Sequence, residues 1–369
     1  DNEGLTLAAN AVWRTRTGAM EHKVLFGADT YRLDADFNAQ TANSADLARN
    51  AGPVPGLDLY HPVYGASSWR DYGLDRLPWR NTSTRSDRQG LYVQDEIALT
   101  PRWQLLAGLR WDRFKDVDNL SGVRVDGNDT SWRLGSTYAL TEGVNLYANI
   151  AAGFVPQTAA NQDRTAGGPF DPERSRQWEL GMKTLLGERY TLNGAVYRIE
   201  RSNIVQATGT VVNGVNQLRA LGLVRSTGAE LDLLADITER WVLNLSYAYN
   251  DARVIDAGTG GITEAVGGRF ANVPRNTLGL WTRYDIPAWN SALGFGADYM
   301  GDRVSLGGQR VKPYTVFDAS WKTQWQQWQF QANIKNLFDK VYASSGFVAR
   351  SGHFPGEPRR LYLQATYSF

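Results

Sequence analysis

Apolar and polar residues alternate strictly along several stretches of this chain. Within residues 103–112 every odd-numbered residue is apolar, and three of the five even-numbered ones, Gln104, Arg110 and Asp112, are polar. The same alternation recurs within residues 241–249 and 328–334. Because successive side chains of a β-strand point to opposite faces, this pattern predicts strands with one apolar and one polar face.

The alternation, together with the turn residues that interrupt it, predicts an all-β chain of fifteen antiparallel strands. The predicted strands are residues 4–14, 22–37, 86–99, 103–116, 130–140, 144–153, 175–185, 190–200, 222–236, 241–253, 275–286, 291–304, 314–323, 328–336 and 359–369.

The connections between these strands alternate between short and long. The short ones are residues 15–21, 100–102, 141–143, 186–189, 238–240, 287–290 and 324–327, and the long ones are residues 38–85, 117–129, 154–174, 201–221, 254–274, 305–313 and 337–358. Short turns on one rim and long loops on the other are typical of bacterial outer-membrane β-barrels, whose turns are periplasmic. A soluble β-sandwich or propeller also alternates, but it has no reason to sort its loops by length.

An aromatic residue begins or ends the apolar face of the clearest predicted strands. Trp103 and Trp111 are eight residues apart, or about 26 Å along a strand and about 20 Å along the membrane normal at the usual strand tilt. This spacing is close to that of the aromatic girdles that border the apolar band of a membrane barrel. The sequence therefore predicts a transmembrane antiparallel β-barrel in the cell outer membrane.

The amino-acid composition excludes several other classes of protein. The 369 residues include 13 Trp, 17 Tyr and 13 Phe, yet the mean hydropathy is −0.41. A net charge of +1 argues against general electrostatic binding to nucleic acid or to anionic lipid, which needs a clustered basic surplus. The chain has no Cys, which excludes disulfides and thiolate metal sites. No apolar run is long enough to span a bilayer as a helix, so a membrane location requires strands.

An odd number of strands is itself informative. Fifteen antiparallel strands would place the first and last strands parallel at a closing seam, whereas single-chain bacterial barrels have even strand numbers. We therefore expect residues 1–369 to be the C-terminal portion of a longer barrel. An isolated arc would leave two unpaired edges, which lipid does not tolerate.

Several short motifs resemble those of TonB-dependent outer-membrane receptors. Residues Asn333–Tyr342 read N-I-K-N-L-F-D-K-V-Y and are similar to the family's N-x-x-N-L-F-D-x-x-Y pattern before the last strand. Residues Gln177–Lys183, Ser226–Asp232 and Tyr92–Asp95 resemble three further strand motifs. With Asp58–Val63 in the first long loop, the chain resembles the ferrichrome-type siderophore receptors most closely.

The resemblance implies a 22-stranded barrel filled by an N-terminal plug domain, of which this chain matches the last fifteen strands. The plug and about seven strands would be missing from residues 1–369. The implied partners are a ferric siderophore, the TonB–ExbB–ExbD system acting through the missing plug, and outer-membrane lipid, with no nucleic acid. No cofactor is expected, because the iron would arrive as part of the siderophore.

The resemblance also implies an aromatic-lined pocket at the extracellular rim. Aromatic faces suit a bulky chelate that presents amide and hydroxamate or catecholate groups. Each ring has the alternative of packing only its own loop. The candidate ligand-binding residues are Tyr60, Tyr64, Trp69, Tyr72, Trp79, Phe154, Phe170, Phe347 and Phe354.

Catalysis has little support, and we expect a transporter rather than an enzyme. His22, His61 and His353 are the only histidines, and none has the spacing of an H-E-x-x-H metal motif. The alternatives left open are a receptor for cobalamin or a glycan, a passive porin, and a soluble all-β binding module. Asp95 lies in the apolar register of its strand, and alternation alone does not explain it.

Overall fold

Fifteen strands form one antiparallel sheet in the computed structural model, which describes residues 1–39, 61, 79–213, 215–258, 266–347 and 352–369. Each strand pairs with the next one of the sheet, so sheet order follows chain order. The sheet strands are β1 Asn2–Thr17, β2 Met20–Ala39, β3 Arg80–Thr100, β4 Trp103–Asp118, β5 Arg124–Thr141, β6 Val144–Val155, β7 Glu173–Leu186, β8 Tyr190–Ser202, β11 Leu223–Thr238, β12 Trp241–Asp256, β13 Asn276–Ile286, β14 Ser291–Met300, β17 Tyr314–Trp325, β18 Trp328–Lys335 and β21 Arg360–Tyr367.

Six short strands form three two-stranded hairpins within the long connections. They are β9 Ile204–Val212 with β10 Val215–Leu221, β15 Arg303–Val304 with β16 Arg310–Val311, and β19 Ala343–Gly346 with β20 His353–Pro355. Three single turns of 3-10 helix lie at Ala159–Gln162, Arg164–Ala166 and Pro287–Trp289. In the described part of the chain, no helix is long and apolar enough to cross a membrane.

All fifteen strands predicted from alternation are present, but some boundaries differ. The predicted 117–129 loop is only a short turn, because the β4–β5 ladder continues out to the Val117–Arg124 pair. Asp126 and Asp129 therefore lie on β5. Strand β14 ends at Met300 instead of residue 304, since Arg303 and Val304 pair with the β16 strand.

The two faces of the sheet differ as predicted. One face, called the apolar face below, carries exposed residues such as Leu109, Trp111, Leu134 and Leu180. The opposite, polar face carries ion pairs and tyrosines that lie across glycines of neighbouring strands. Tyr92, for example, covers its cross-strand partner Gly27, where an added Cβ would lie 2.0 Å from the tyrosine ring.

Buried apolar side chains are concentrated beyond the apolar band, where the long connections meet. Leu221, Val224 and Val254 form one buried cluster against which Ile204 and Phe270 pack. Val311, in the β15–β16 hairpin, is also fully buried. The long connections therefore form packed structure of their own above the sheet.

Candidate ligand-binding rim

Five of the nine candidate aromatic residues lie in the described part of the chain. Tyr60, Tyr64, Trp69 and Tyr72 lie outside it. Trp79, immediately before β3, is exposed. Phe154 lies on β6 and not in the loop where it was predicted, because the β6–β7 ladder extends to the Val155–Glu173 pair.

Phe154 and Phe170 are held by their own surroundings. The Phe154 ring is tilted against buried Phe114 on β4, with 6.0 Å between the ring centroids. The backbone of Phe170 both donates to and accepts from the amide side chain of Gln162, each at 3.1 Å. The Phe154 ring thus has a contact within the wall and the Phe170 backbone is fixed by Gln162, while both residues remain partly exposed, so their role as ligand contacts stays a prediction.

Phe347 and Phe354 come together on the β19–β20 hairpin. Their ring centroids are 6.2 Å apart, and both rings are exposed. Asn272 braces the hairpin from another connection, since its amide donates to the Gly346 carbonyl and accepts from the Gly346 N–H, both at 2.9 Å. This pair is a preorganised aromatic surface, which costs little conformational entropy when a ligand binds.

Buried Arg303 supports the same hairpin from below. Its guanidinium donates to the carbonyls of Ala343, at 3.0 Å, and Ser344, and it lies 5.4 Å from the centre of the Tyr314 ring. Charge-assisted hydrogen bonds from Arg303 thus hold the hairpin in place of a large apolar core. The β15–β16 and β19–β20 hairpins and the Asn272 segment form what is called the rim unit below.

Arg269 and Asp302 connect the Asn272 segment to the end of β14. Arg269 Nη1 donates to Asp302 Oδ2 at 2.8 Å, and Nη2 donates to the Asp302 carbonyl. This hydrogen bond from Arg269 holds the pKa of the Asp302 carboxyl below its usual value, against the opposing effect of partial burial.

The N-L-F-D motif has a structural role that its sequence does not reveal. Asn336 is buried, has a φ of 50°, and closes the start of the last long connection. Its amide donates to the carbonyls of Lys340 and Glu357 and accepts from the Lys340 N–H, at 2.8 to 2.9 Å. Its backbone N–H donates to Asp318. Asparagine suits this left-handed position, and its amide supplies both donors and an acceptor.

A second group of connections packs beside the rim unit. Gln217 in the β9–β10 hairpin donates to the Thr165 carbonyl at 2.9 Å. Asn203 donates to the Pro172 carbonyl and accepts from Gln157. Sequence reasoning missed these bracing residues, as it missed Asn272 and Arg303, because each acts on a distant segment and none belongs to a repeating pattern.

The polar face neutralises its own charges through contacts between strands. Arg110 on β4 donates to both carboxylate oxygens of Asp29 on β2, at 2.7 and 2.8 Å, and also bonds Asp112. On β6 and β7, the Tyr147 hydroxyl donates to Glu179 at 2.7 Å. These pairs explain the charged residues of the predicted strands without assigning each one a separate function.

Asp95 has a partner on the neighbouring strand. His22 on β2 lies 2.7 Å from the carboxylate of Asp95 on β3, through Nδ1 and Oδ2. Both residues occupy the apolar register, because His22 pairs with Ile97 and Asp95 pairs with Val24. His22 Nε2 and Asp95 Oδ1 are buried without a hydrogen-bond partner among the described atoms.

Comparison with known proteins identifies the class of this sheet. The receptor for ferric catecholates Fiu from E. coli K12 in its closed form superposes with a TM-score of 0.78 at 23% identity, over 100% of this chain and 55% of that one. The ferric preacinetobactin receptor BauA from Acinetobacter baumannii gives 0.79 at 20% identity, over 100% of this chain and 54% of that one. These likenesses show that the sheet has the fold of about half of the β-barrel in those proteins.

The family follows from the sequence match. The profile of the family described as TonB dependent receptor-like, beta-barrel matches residues 1–337, and the chain belongs to that family. The predicted family, fold class and outer-membrane location are thereby confirmed. The apolar face is accordingly the lipid-facing one, and the polar face lines the interior.

Two curated proteins match most of this chain in sequence. The ferrioxamine B receptor of Salmonella typhimurium strain SL1344 is 27% identical over 345 residues, covering 89% of this chain and 45% of the relative. The ferrichrome outer membrane transporter/phage receptor of Escherichia coli K12 is 28% identical over 374 residues, covering 96% and 47%. The chain thus spans about half the length of the curated relatives it matches.

Proposed function

We propose that this chain supplies the barrel wall and part of the rim of a receptor that takes up ferric siderophores across the outer membrane. The family match over residues 1–337 is the observation that carries the proposal. The two curated relatives are named for ferrioxamine B and ferrichrome, and a related ligand is therefore proposed here.

The rim supports a binding role for Phe347 and Phe354 in particular. Both rings are exposed, close together and held on a braced hairpin, so a bulky chelate can pack against them without ordering the loop first. The iron would remain coordinated by the siderophore. Tyr60, Tyr64, Trp69, Tyr72 and Trp79 remain proposed contacts from the first long connection.

Energy coupling is proposed to come from TonB–ExbB–ExbD acting on a plug domain inside the barrel. Residues 1–369 then form the C-terminal portion of the barrel, and the protein is a transporter with no catalytic step. The charged polar face offers the plug a surface of ion pairs and hydroxyl groups, such as those at Arg110 and Tyr147.

Titration with ferric chelates tests the proposal. Tryptophan quenching by ferrioxamine B, ferrichrome and a ferric catecholate should be saturable for at least one of them. Replacing both Phe347 and Phe354 with Ala should weaken that binding by about tenfold, since removing an aromatic anchor costs 1.4 kcal/mol or more. The matched control is Leu120→Ala, an exposed apolar residue in the β4–β5 turn.

The alternatives give different results in the same assay. Saturable quenching by cobalamin or an oligosaccharide, with none by any ferric chelate, would indicate a receptor for another nutrient. Ion conductance in planar bilayers without binding of any of these compounds would indicate a porin. Either result would contradict the siderophore proposal while leaving the family assignment intact.

A further inference from the structure

Arg303 is a buried cation that lies beneath the exposed aromatic surface of the rim. Only 3% of the residue is exposed. The acceptors of its hydrogen bonds are the backbone carbonyls of Ala343 and Ser344, and its Nε is buried without a partner among the described atoms. Burying a charge costs free energy, and an apolar side chain often fills such a space at a lower cost. The location of the two carbonyls indicates what the charge does.

The two carbonyls belong to a strand that lacks a full set of ladder partners. Strand β19 pairs only with β20, and its register shifts between Ala343 and Ser345. At a shifted register and along the free edge of a hairpin, backbone carbonyls are left without a partner strand. Arg303 supplies charge-assisted donors to two of them. Its guanidinium therefore takes the place of a neighbouring strand for this short hairpin.

Two tyrosines extend the contact of Arg303 to both arms of the last long connection. The guanidinium lies 5.4 Å from the centre of the Tyr314 ring, whose centroid is 4.2 Å from that of Tyr342. The Tyr342 hydroxyl accepts from the Glu357 N–H at 3.2 Å, and a Cβ on Gly356 would overlap the Tyr342 ring. The outgoing and returning arms are thus joined at the place where Arg303 binds.

The β15–β16 hairpin, which carries Arg303, follows β19 as far as the aromatic surface. It packs so closely on Gly346 that an added Cβ there would lie 2.5 Å from the Ser305 Cβ. Beyond that point, the Gly307 N–H donates to the Phe347 carbonyl at 3.2 Å. The contacts between the two hairpins therefore run from Arg303 to the backbone of one of the two exposed phenylalanines.

We propose that Arg303 is a positioning residue for chelate binding, which holds the Phe347–Phe354 surface in its binding arrangement without contacting the chelate. The inference rests on the proposed function, because it concerns the affinity of the same surface. If the hairpin has its binding arrangement for only a fraction of the time, the apparent dissociation constant rises by the inverse of that fraction. The factor is the same for every chelate that uses the surface, whereas the loss of a direct contact affects each chelate differently.

Tryptophan quenching of the full chain in detergent, with ferrioxamine B and with ferrichrome, tests the proposal. Arg303→Met keeps an unbranched side chain but removes both donors, so the dissociation constant should rise about tenfold for each chelate that the parent chain binds. The ratio between the chelates should not change. Arg303→Lys should stay within about threefold of the parent chain, because its ammonium group can donate to the same carbonyls. This rescue separates positioning from a general loss of folding.

Hydrogen exchange measures the arrangement of the hairpin without any ligand. In Arg303→Met, the protection factors of residues 343–347 and 353–356 should fall by about the same factor as the affinity, while those of β17 and β18 stay unchanged. Gly346→Ala provides a second route to the same state, since it forces the hairpins apart and leaves Arg303 in place. It should lower both the protection and the affinity for every chelate.

Arg310→Met is the matched control, because it removes a cation from an exposed position on the same hairpin. Arg310 pairs with Val304 and so faces away from Arg303, whose partner is Val311. This variant should bind each chelate like the parent chain. Unchanged affinity in Arg303→Met, or a loss of affinity with full protection of the hairpin, would overturn the proposal. A changed ratio between chelates would assign Arg303 to direct contact and also overturn it.

The proposed function and the role of Arg303 can be separated in these measurements. If the parent chain binds no ferric chelate, the proposed function fails and the effect on affinity fails with it. The exchange measurement then still decides whether Arg303 orders the hairpin. If the parent chain binds a ferric chelate and Arg303→Met binds it equally well, the proposed function holds and only the positioning role is wrong.

Discussion

At the scale of single residues, the most informative pair is His22 and Asp95. A carboxylate and an imidazole in an apolar register cost free energy unless they satisfy each other, and residues of this kind facing lipid are uncommon. The 2.7 Å contact satisfies one atom of each and leaves one buried atom of each without a partner. Removing both residues should therefore lower the free energy of unfolding less than removing one of them.

Replacing His22 with Leu should lower the free energy of unfolding by roughly 1–3 kcal/mol, because Asp95 loses its partner in an apolar setting. Replacing both residues with Leu should recover most of that loss, since similar apolar replacements of buried pairs are often neutral or stabilising. Urea denaturation in detergent, followed by tryptophan fluorescence, measures both. A double variant less stable than His22→Leu would contradict this account.

At the scale of elements, the rim unit shows how long connections become ordered without a large core. Its contacts are hydrogen bonds from Asn272, Arg303 and Arg269 to backbone atoms of other segments. Alternation predicted all fifteen sheet strands, but it predicted none of the three hairpins. Strands such as β15 and β16 have two residues each, which is too short for any period to be detected.

Low pH should weaken the Arg269–Asp302 contact and so make the rim unit less stable. The pKa of Asp302 is lowered from 3.8, so its stabilising contribution is fully present above about pH 4 and is lost as the pH falls through the lowered value. The protection factors of the 303–311 hairpin, which are hydrogen-exchange rates corrected for the intrinsic pH dependence of amide exchange, should therefore decrease at steps below pH 5. Asp302→Asn should remove this dependence while raising exchange at neutral pH. The same acid response in the variant would assign the effect to another group.

At the scale of the whole molecule, the described sheet exposes its apolar face and has two edge strands. Strands β1 and β21 each pair with one neighbour in the sheet, on opposite sides. Both strands run from the long-loop rim to the short-turn rim, so a direct seam between them would be parallel. Closure into an antiparallel barrel requires an odd number of further strands between them.

Detergent or lipid should be required to keep the chain monomeric. The apolar face exposes many large residues at once, including Leu109, Leu134, Leu180 and Leu363, which is far more than a soluble monomer tolerates. Removing the detergent by dialysis should produce large aggregates, which light scattering detects. Adding detergent back before it is fully removed should prevent the aggregation. A folded monomer after complete removal would support the soluble β-module alternative.

The sequence by itself determined the strands, their two faces and the class of barrel, because side-chain alternation and connection length are local properties that repeat many times along the chain. It also indicated the family, through motifs such as N-L-F-D. Only the tertiary structure decided which residues meet. Asp95 was unexplained until β2 placed His22 beside it, and Phe347 and Phe354 became one surface only when the hairpin formed. Register depends on pairing between distant segments, and no local pattern records it.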